Sequence, residues 1–198
     1  MSEESSQHQD KTEVRDEILV AALKLFTEKG YFNTSLTDIG KQTGVSTGVI
    51  YHQFKNKQAI ANSLYADVIS SLNSSVDDIR GRNQSPLQQL REVVDLMFGL
   101  AEHGPEVMRF LLRLQHREFL PEQRLLCAAA PFEKIRKILQ AGMQSGDFKQ
   151  MDPMLAYACF FGVIEKAISL ELDGLLDGTP QSLLSDAWAA AWQTIARR

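Results

Sequence analysis

Apolar residues recur at three- and four-residue spacing from one end of the chain to the other, and no long alternating run reads as a strand. The expected fold is all-α, with about nine helices. The first should run from Thr12 or Glu13 to Lys29, with Ile18, Ala22, Leu25 and Phe26 on one face and Gly30 closing it. Two short helices follow, after Ser35 and Ser46. A long fourth helix starts behind Asn56 and carries Ile60, Leu64, Val68 and Leu72 to about Arg80. Ser85-Pro86, Asp152-Pro153 and Thr179-Pro180 each place proline at a first helical position, where no amide hydrogen is needed. Pro105 restarts a shorter helix after His103-Gly104. Pro121 should begin another, bent at Pro131 and broken at Gly146.

The segment SLTDIGKQTGVSTGVIYHQFKNK, Ser35 to Lys57, reads as a helix-turn-helix. Ser35 and Asp38 form an S-x-x-D capping box, and Gly44 supplies the left-handed residue that stops the first helix. Leu36, Ile39 and Gly40 face inward, and the missing side chain of Gly40 lets a second helix cross close by. Ser46 caps that second helix, Thr47 to Gln53. Two short helices around a three-to-four-residue turn with glycine are the DNA-binding form of this motif, the second helix entering the major groove.

Charge sharpens that picture. The net charge is −4, yet between Lys29 and Lys57 stand Lys29, Lys41, Lys55 and Lys57 against Asp38 alone. A small basic end on an acidic body fits docking on DNA through one face. Cys127 and Cys159 show no C-x-x-C spacing, and a reduced, cytoplasmic protein is expected. No run of about 18 apolar residues suggests a membrane span. Neither a phosphate loop, a nucleophile elbow nor a metal-ligand constellation appears, so no enzyme, cofactor or metal is expected.

TEVRDEILVAALKLFTEKGYFNTSLTDIGKQTGVSTGVIYHQFKNKQAI resembles the DNA-binding region of TetR-family transcriptional regulators, above all in F-x-x-K-G-Y-F, G-V-S and I-Y-H-Q-F-K-N-K. GDFKQMDPMLA is similar to a looser family pattern. The resemblance implies an all-helical homodimer with N-terminal reading domains and C-terminal ligand-binding bodies. Gly40 departs from the alanine common in the family.

On the DNA side, Thr47 can reach a base edge or phosphate, Gly48 offers bare backbone, and Val49 can pack on a thymine methyl. Gln53 reads adenine or is solvated. Tyr51 and His52 are the main candidates, because the matching family positions lie along the backbone or bases. Lys55 and Lys57 flank the fourth helix within reach of phosphate, with Lys57 preferred from the family motif. Thr34, Ser35 and Thr37 can clamp the opposite strand. Phe54 reads as core.

In the body, Met97, Phe98, Met108, Phe110, Phe132, Tyr157, Phe160 and Phe161 are either core or the lining of an effector cavity, with Arg113 and His116 adding polarity. Arg109, Arg113 and Arg117 also fit a solvated stripe. The last two helices are apolar on more than one side, so a second subunit is expected against Ile164, Ile168, Trp188 and Trp192. The expected organisation is a polar tail (1–12), a helix-turn-helix domain (13–56) and a ligand-binding and dimerisation domain (57–198), with 57–80 connecting. The function that follows is a dimeric repressor released from a palindromic DNA operator by a small-molecule inducer. An activator, a ligand-independent DNA-binding protein, or an enzyme with a DNA-binding domain are the alternatives.

Overall fold

A computed structural model describes the backbone of residues 2–113 and 129–197, and side chains from 12 to 112 and from 129 to 197. Nine helices lie among the described residues: α1 Ser2–Lys29, α2 Leu36–Thr43, α3 Thr47–Gln53, α4 Lys57–Arg82, α5 Pro86–His103, α6 Pro105–Arg113, α7 Ala130–Ser145, α8 Pro153–Leu172 and α9 Pro180–Ile195. The only bridge between extended segments among them joins Phe148 to Ala196. The chain divides into two compact units, one reaching to Val68 and one built from Ile69–Leu112 and the later helices.

In the first unit, α1 begins at Ser2, well before the expected Thr12 or Glu13. SEESSQHQDKT contains neither proline nor glycine to stop a helix. Ile18, Ala22, Leu25 and Phe26 are buried, as are Ile39, Ile50, Phe54, Ile60 and Leu64 of the following three helices and their junction. The helix ends are made locally. Ser35 Oγ accepts from the Asp38 amide at 3.1 Å, and Asp38 Oδ2 accepts from the Ser35 amide at 2.9 Å. These Ser35 hydrogen bonds hold the Asp38 carboxyl below the usual range. Gly44, at φ 78°, closes α2 with its amide on the Gly40 carbonyl. Ser46 caps α3 through the Val49 amide, and Asn56 caps α4 through the Ala59 amide. A Cβ on Gly40 would stand 2.8 Å from the Val45 carbonyl oxygen, so its absence brings the turn onto α2.

In the second unit, Val94, Phe98, Leu139, Phe160, Ile164, Ile168, Leu184 and Ala191 form the centre of a core shared by α5, α7, α8 and α9. Pro131 sits in the first turn of α7 and starts it, where a bend within a longer helix was expected. Pro121, the expected start, lies outside the described residues. Gly146, at φ 85°, ends α7. The chain then folds back so that the Phe148 ring lies on Gly142, and the Lys149 amide donates to the Ile195 carbonyl at 2.9 Å. By length and composition α8 could cross a membrane, which the search for an unbroken apolar run did not reveal. It nevertheless carries Glu165, Lys166 and Glu171, and it buries Ala156, Phe160, Phe161, Ile164 and Ile168 in this core.

Candidate nucleic-acid interface and effector cavity

The polar face of the first unit is built by α3 and the ends of its neighbours. Ile50 faces inward and is fully buried, which turns Val49, Tyr51 and His52 outward. Tyr51 is 58% exposed, so its ring lies outside the core. Thr47 and Gln53 are half-buried, while Gly48, Ser35, Thr37 and Lys55 are exposed. The Ser35 hydroxyl is already engaged in the capping box. A groove between α1 and α2 of the same unit is lined by Glu13, Asp16 and Glu17 against Lys24 alone. That acidic side repels phosphate, so the side bearing α3 and Lys55 is the one suited to DNA.

Two expected DNA contacts are corrected. Thr34 is 2% exposed, and its hydroxyl donates to the Gly30 carbonyl at 2.9 Å and lies 3.3 Å from that of Leu25. Its amide donates to Tyr31 and its carbonyl accepts from Lys57, so it is a loop tie rather than a phosphate clamp. Lys57 Nζ donates to the carbonyls of Tyr31 at 2.7 Å and Thr34 at 2.8 Å. It also sits 4.2 Å above the Tyr31 ring. Burial pushes this ammonium below its ordinary pKa, and it latches the α1–α2 loop to the start of α4. Lys57→Met removes the ammonium donor from both carbonyls, leaving that of Tyr31 only the Thr34 amide. It should lower stability by about 2 kcal/mol, or about 6 °C in Tm. The dependence of DNA affinity on salt should not change. A phosphate-binding lysine would give the reverse: an unchanged Tm and a salt slope reduced by about one for each lysine lost.

The second unit holds a cavity of about 360 Å³. Met97, Met108, Phe132 and Tyr157 line it as expected. Phe98, Phe160 and Phe161 do not; they are closed into the core, as is Phe110. The Arg113 side chain and His116 lie outside the described residues. Sequence reasoning missed Leu72 and Val76 of α4, Pro131 at the start of α7, and Glu165 of α8. The Tyr157 hydroxyl donates to Glu165 Oε1 at 3.2 Å. Glu165 was traceable: it lies eight residues after Tyr157, two helical turns along the same apolar helix.

The expected partner face also moves. Ile164 and Ile168 are fully buried within the protomer and can touch no second copy. Trp188 and Trp192 stack on each other with centroids 6.0 Å apart, and they meet Phe160 and Phe148 edge-on. Arg91 covers Trp188 at 4.9 Å. Both indoles are therefore largely spent inside the unit. Exposed instead are Met154, Leu155, Ala158 and Gly162 on α8, and Ala189 and Ala190 on α9.

An all-helical chain with a capped helix-turn-helix and an outward-facing second helix defines a DNA-binding regulator. Residues 18–64 match the family model of bacterial regulatory proteins, tetR family. The fatty acid metabolism regulator protein of Bacillus subtilis is 27% identical over 165 residues, covering 77% of this chain and 80% of the relative. A TetR family regulator from Marinobacter aquaeolei shares the fold at TM-score 0.79 and 22% identity, covering 98% of this chain and 100% of that one. The Bacillus subtilis regulator FadR, solved in complex with stearoyl-CoA, aligns at TM-score 0.74 and 24% identity over 88% of this chain and 96% of its own. The DNA-binding region of this chain, residues 18–64, is that of the TetR family of transcriptional regulators.

Proposed function

We propose that the protein is a homodimeric, cytoplasmic repressor that leaves a palindromic operator when an apolar effector enters the cavity of the second unit. Residues 13–56 read DNA in this scheme, and 57–198 sense the effector and dimerise. The outward face of α3 carries the proposal, with Tyr51, His52, Val49 and Thr47 as reading residues and Lys55, Ser35 and Thr37 at the phosphates. Gly48 supports it in a different way. A Cβ there would meet only Ser46 Oγ, at 3.7 Å. Gly48 is the second residue of α3, and glycine there gives up a side chain without closing a turn. No neighbour within the protein requires it, whereas close approach of a duplex does.

The cavity supports the sensing half. Its size and apolar wall suit a small lipophilic molecule. One relative is named for fatty acid metabolism, and FadR was solved with stearoyl-CoA. Leu72 and Val76 belong to the same helix whose first residue, Lys57, holds the loop ahead of α2. An effector that displaces α4 thereby disturbs the mounting of the reading helices. The exposed Met154, Leu155, Ala158 and Gly162 stripe, 47% exposed at Met154 and 53% at Leu155, replaces the buried isoleucines as the dimer face. A two-fold dimer places its reading helices on half-sites about 34 Å, or a multiple of that, apart. Selection of genomic fragments by the purified protein should enrich an imperfect palindrome with that periodicity. Retention of fragments without any shared motif would remove the specific-regulator reading.

A further inference from the structure

Among the described residues the cavity wall is apolar except at one place. Leu72, Val76, Val93, Leu96 and Leu100 exemplify the lining, and among the described lining residues no lysine, arginine or histidine appears. Into this wall α8 delivers Glu165, to which the Tyr157 hydroxyl donates at 3.2 Å. A carboxylate offers about four acceptor positions, and one phenol occupies one of them. Burial raises the Glu165 pKa and the Tyr157 hydrogen bond opposes the rise, so the group stands where a cation would relieve it.

This constrains whatever fills the space. An anionic end next to Glu165 would set two negative charges together in low dielectric. A purely aliphatic end would bury the carboxyl further and add no donor to that of Tyr157. An ammonium supplies both a countercharge and N–H donors, and a charge-assisted hydrogen bond of that kind strengthens as water is excluded.

Taking the cavity as the effector site proposed above, we infer that its effector is a lipophilic amine whose hydrocarbon body fills the apolar space and whose ammonium group donates to Glu165 beside Tyr157. The inference sets this pocket apart from one that holds an acyl chain alone. Glu165 is the specificity-determining residue, and Tyr157 positions it.

Titration calorimetry with dodecylamine, dodecanol and dodecanoate, each below its micellar concentration, tests the assignment on the full-length protein. The amine should bind at least about ten-fold more tightly than either of the others. Glu165→Gln should lose about ten-fold for the amine, leave the alcohol unchanged, and retain a cooperative melt. Met97→Trp, which fills the cavity from α5, should abolish binding of the amine. If dodecanol or dodecanoate equals the amine, or Glu165→Gln binds the amine as wild type does, the head-group inference falls. The cavity reading then survives, provided Met97→Trp still blocks binding. If none of the probes binds, or Met97→Trp leaves binding untouched, the effector cavity itself is wrong and the inference falls with it.

Discussion

Replacing Tyr51 by alanine should reduce operator affinity by at least about a hundred-fold while leaving the melting temperature within a degree of wild type. The ring is 58% exposed and contributes little to the core around Ile50 and Phe54, so truncation should not unfold α3. A hydrogen bond to a charged group is worth about 1.5–3 kcal/mol. Both protomers of a dimer would lose one, giving about 3–6 kcal/mol, and about 1.4 kcal/mol corresponds to ten-fold. Tyr51→Phe separates the two parts of the side chain. If the hydroxyl contacts phosphate, phenylalanine behaves nearly as alanine does. If the ring lies along the sugar wall, phenylalanine recovers most of the affinity. Fluorescence anisotropy on the selected operator reads both variants. An alanine variant that binds as wild type does would remove Tyr51 from the interface.

The largest effect on stability is expected at Gly142. A Cβ there would fall 2.1 Å from Cε2, 2.3 Å from Cδ2 and 2.7 Å from Cζ of Phe148. That ring is 1% exposed and meets Trp192 edge-on with centroids 5.7 Å apart, so it cannot step aside cheaply. Moving it also strains the bridge to Ala196 and the Lys149 bond to Ile195. Gly142→Ala should therefore cost about 3 kcal/mol, at the upper end for overpacking, or about 6–12 °C in Tm for a chain of this size. The gain in helix propensity, about 1 kcal/mol, would be overwhelmed. Combining it with Phe148→Leu should recover part of the loss. Strict additivity of the two substitutions in thermal melts would show that the glycine and the ring do not oppose each other.

What could be read from the chain divides by the sequence distance between partners. Ser35 with Asp38, Gly44, Ser46 and Asn56 were legible because each cap acts within three or four residues. Lys57 was misassigned because its partners, Tyr31 and Thr34, lie farther off, whereas Thr34 turns its hydroxyl inward onto Gly30, only four residues back. A polar side chain at the rim of a DNA-reading motif looks the same in sequence whether it faces solvent or its own loop. Ile164 and Ile168 failed for another reason. A helix apolar on several sides announces several neighbours, and the pattern does not say whether α9, α7 or a second copy takes each side. Four of the six aromatic cavity candidates, Phe98, Phe110, Phe160 and Phe161, became core on the same ground. Glu165 was passed over because a charged residue in a long helix is ordinarily solvated.

The knot of contacts around the α1–α2 loop bears on the thermodynamics of docking. Thr34 spends its amide, hydroxyl and carbonyl on the loop and on Lys57, which reaches back from the next long helix. Ordering a loose backbone costs about 1–2 kcal/mol per residue. Here that cost falls on folding, before any duplex is met. The reading helices thus arrive with little configurational entropy left to lose, so weak contacts along α3 translate into affinity with small loss.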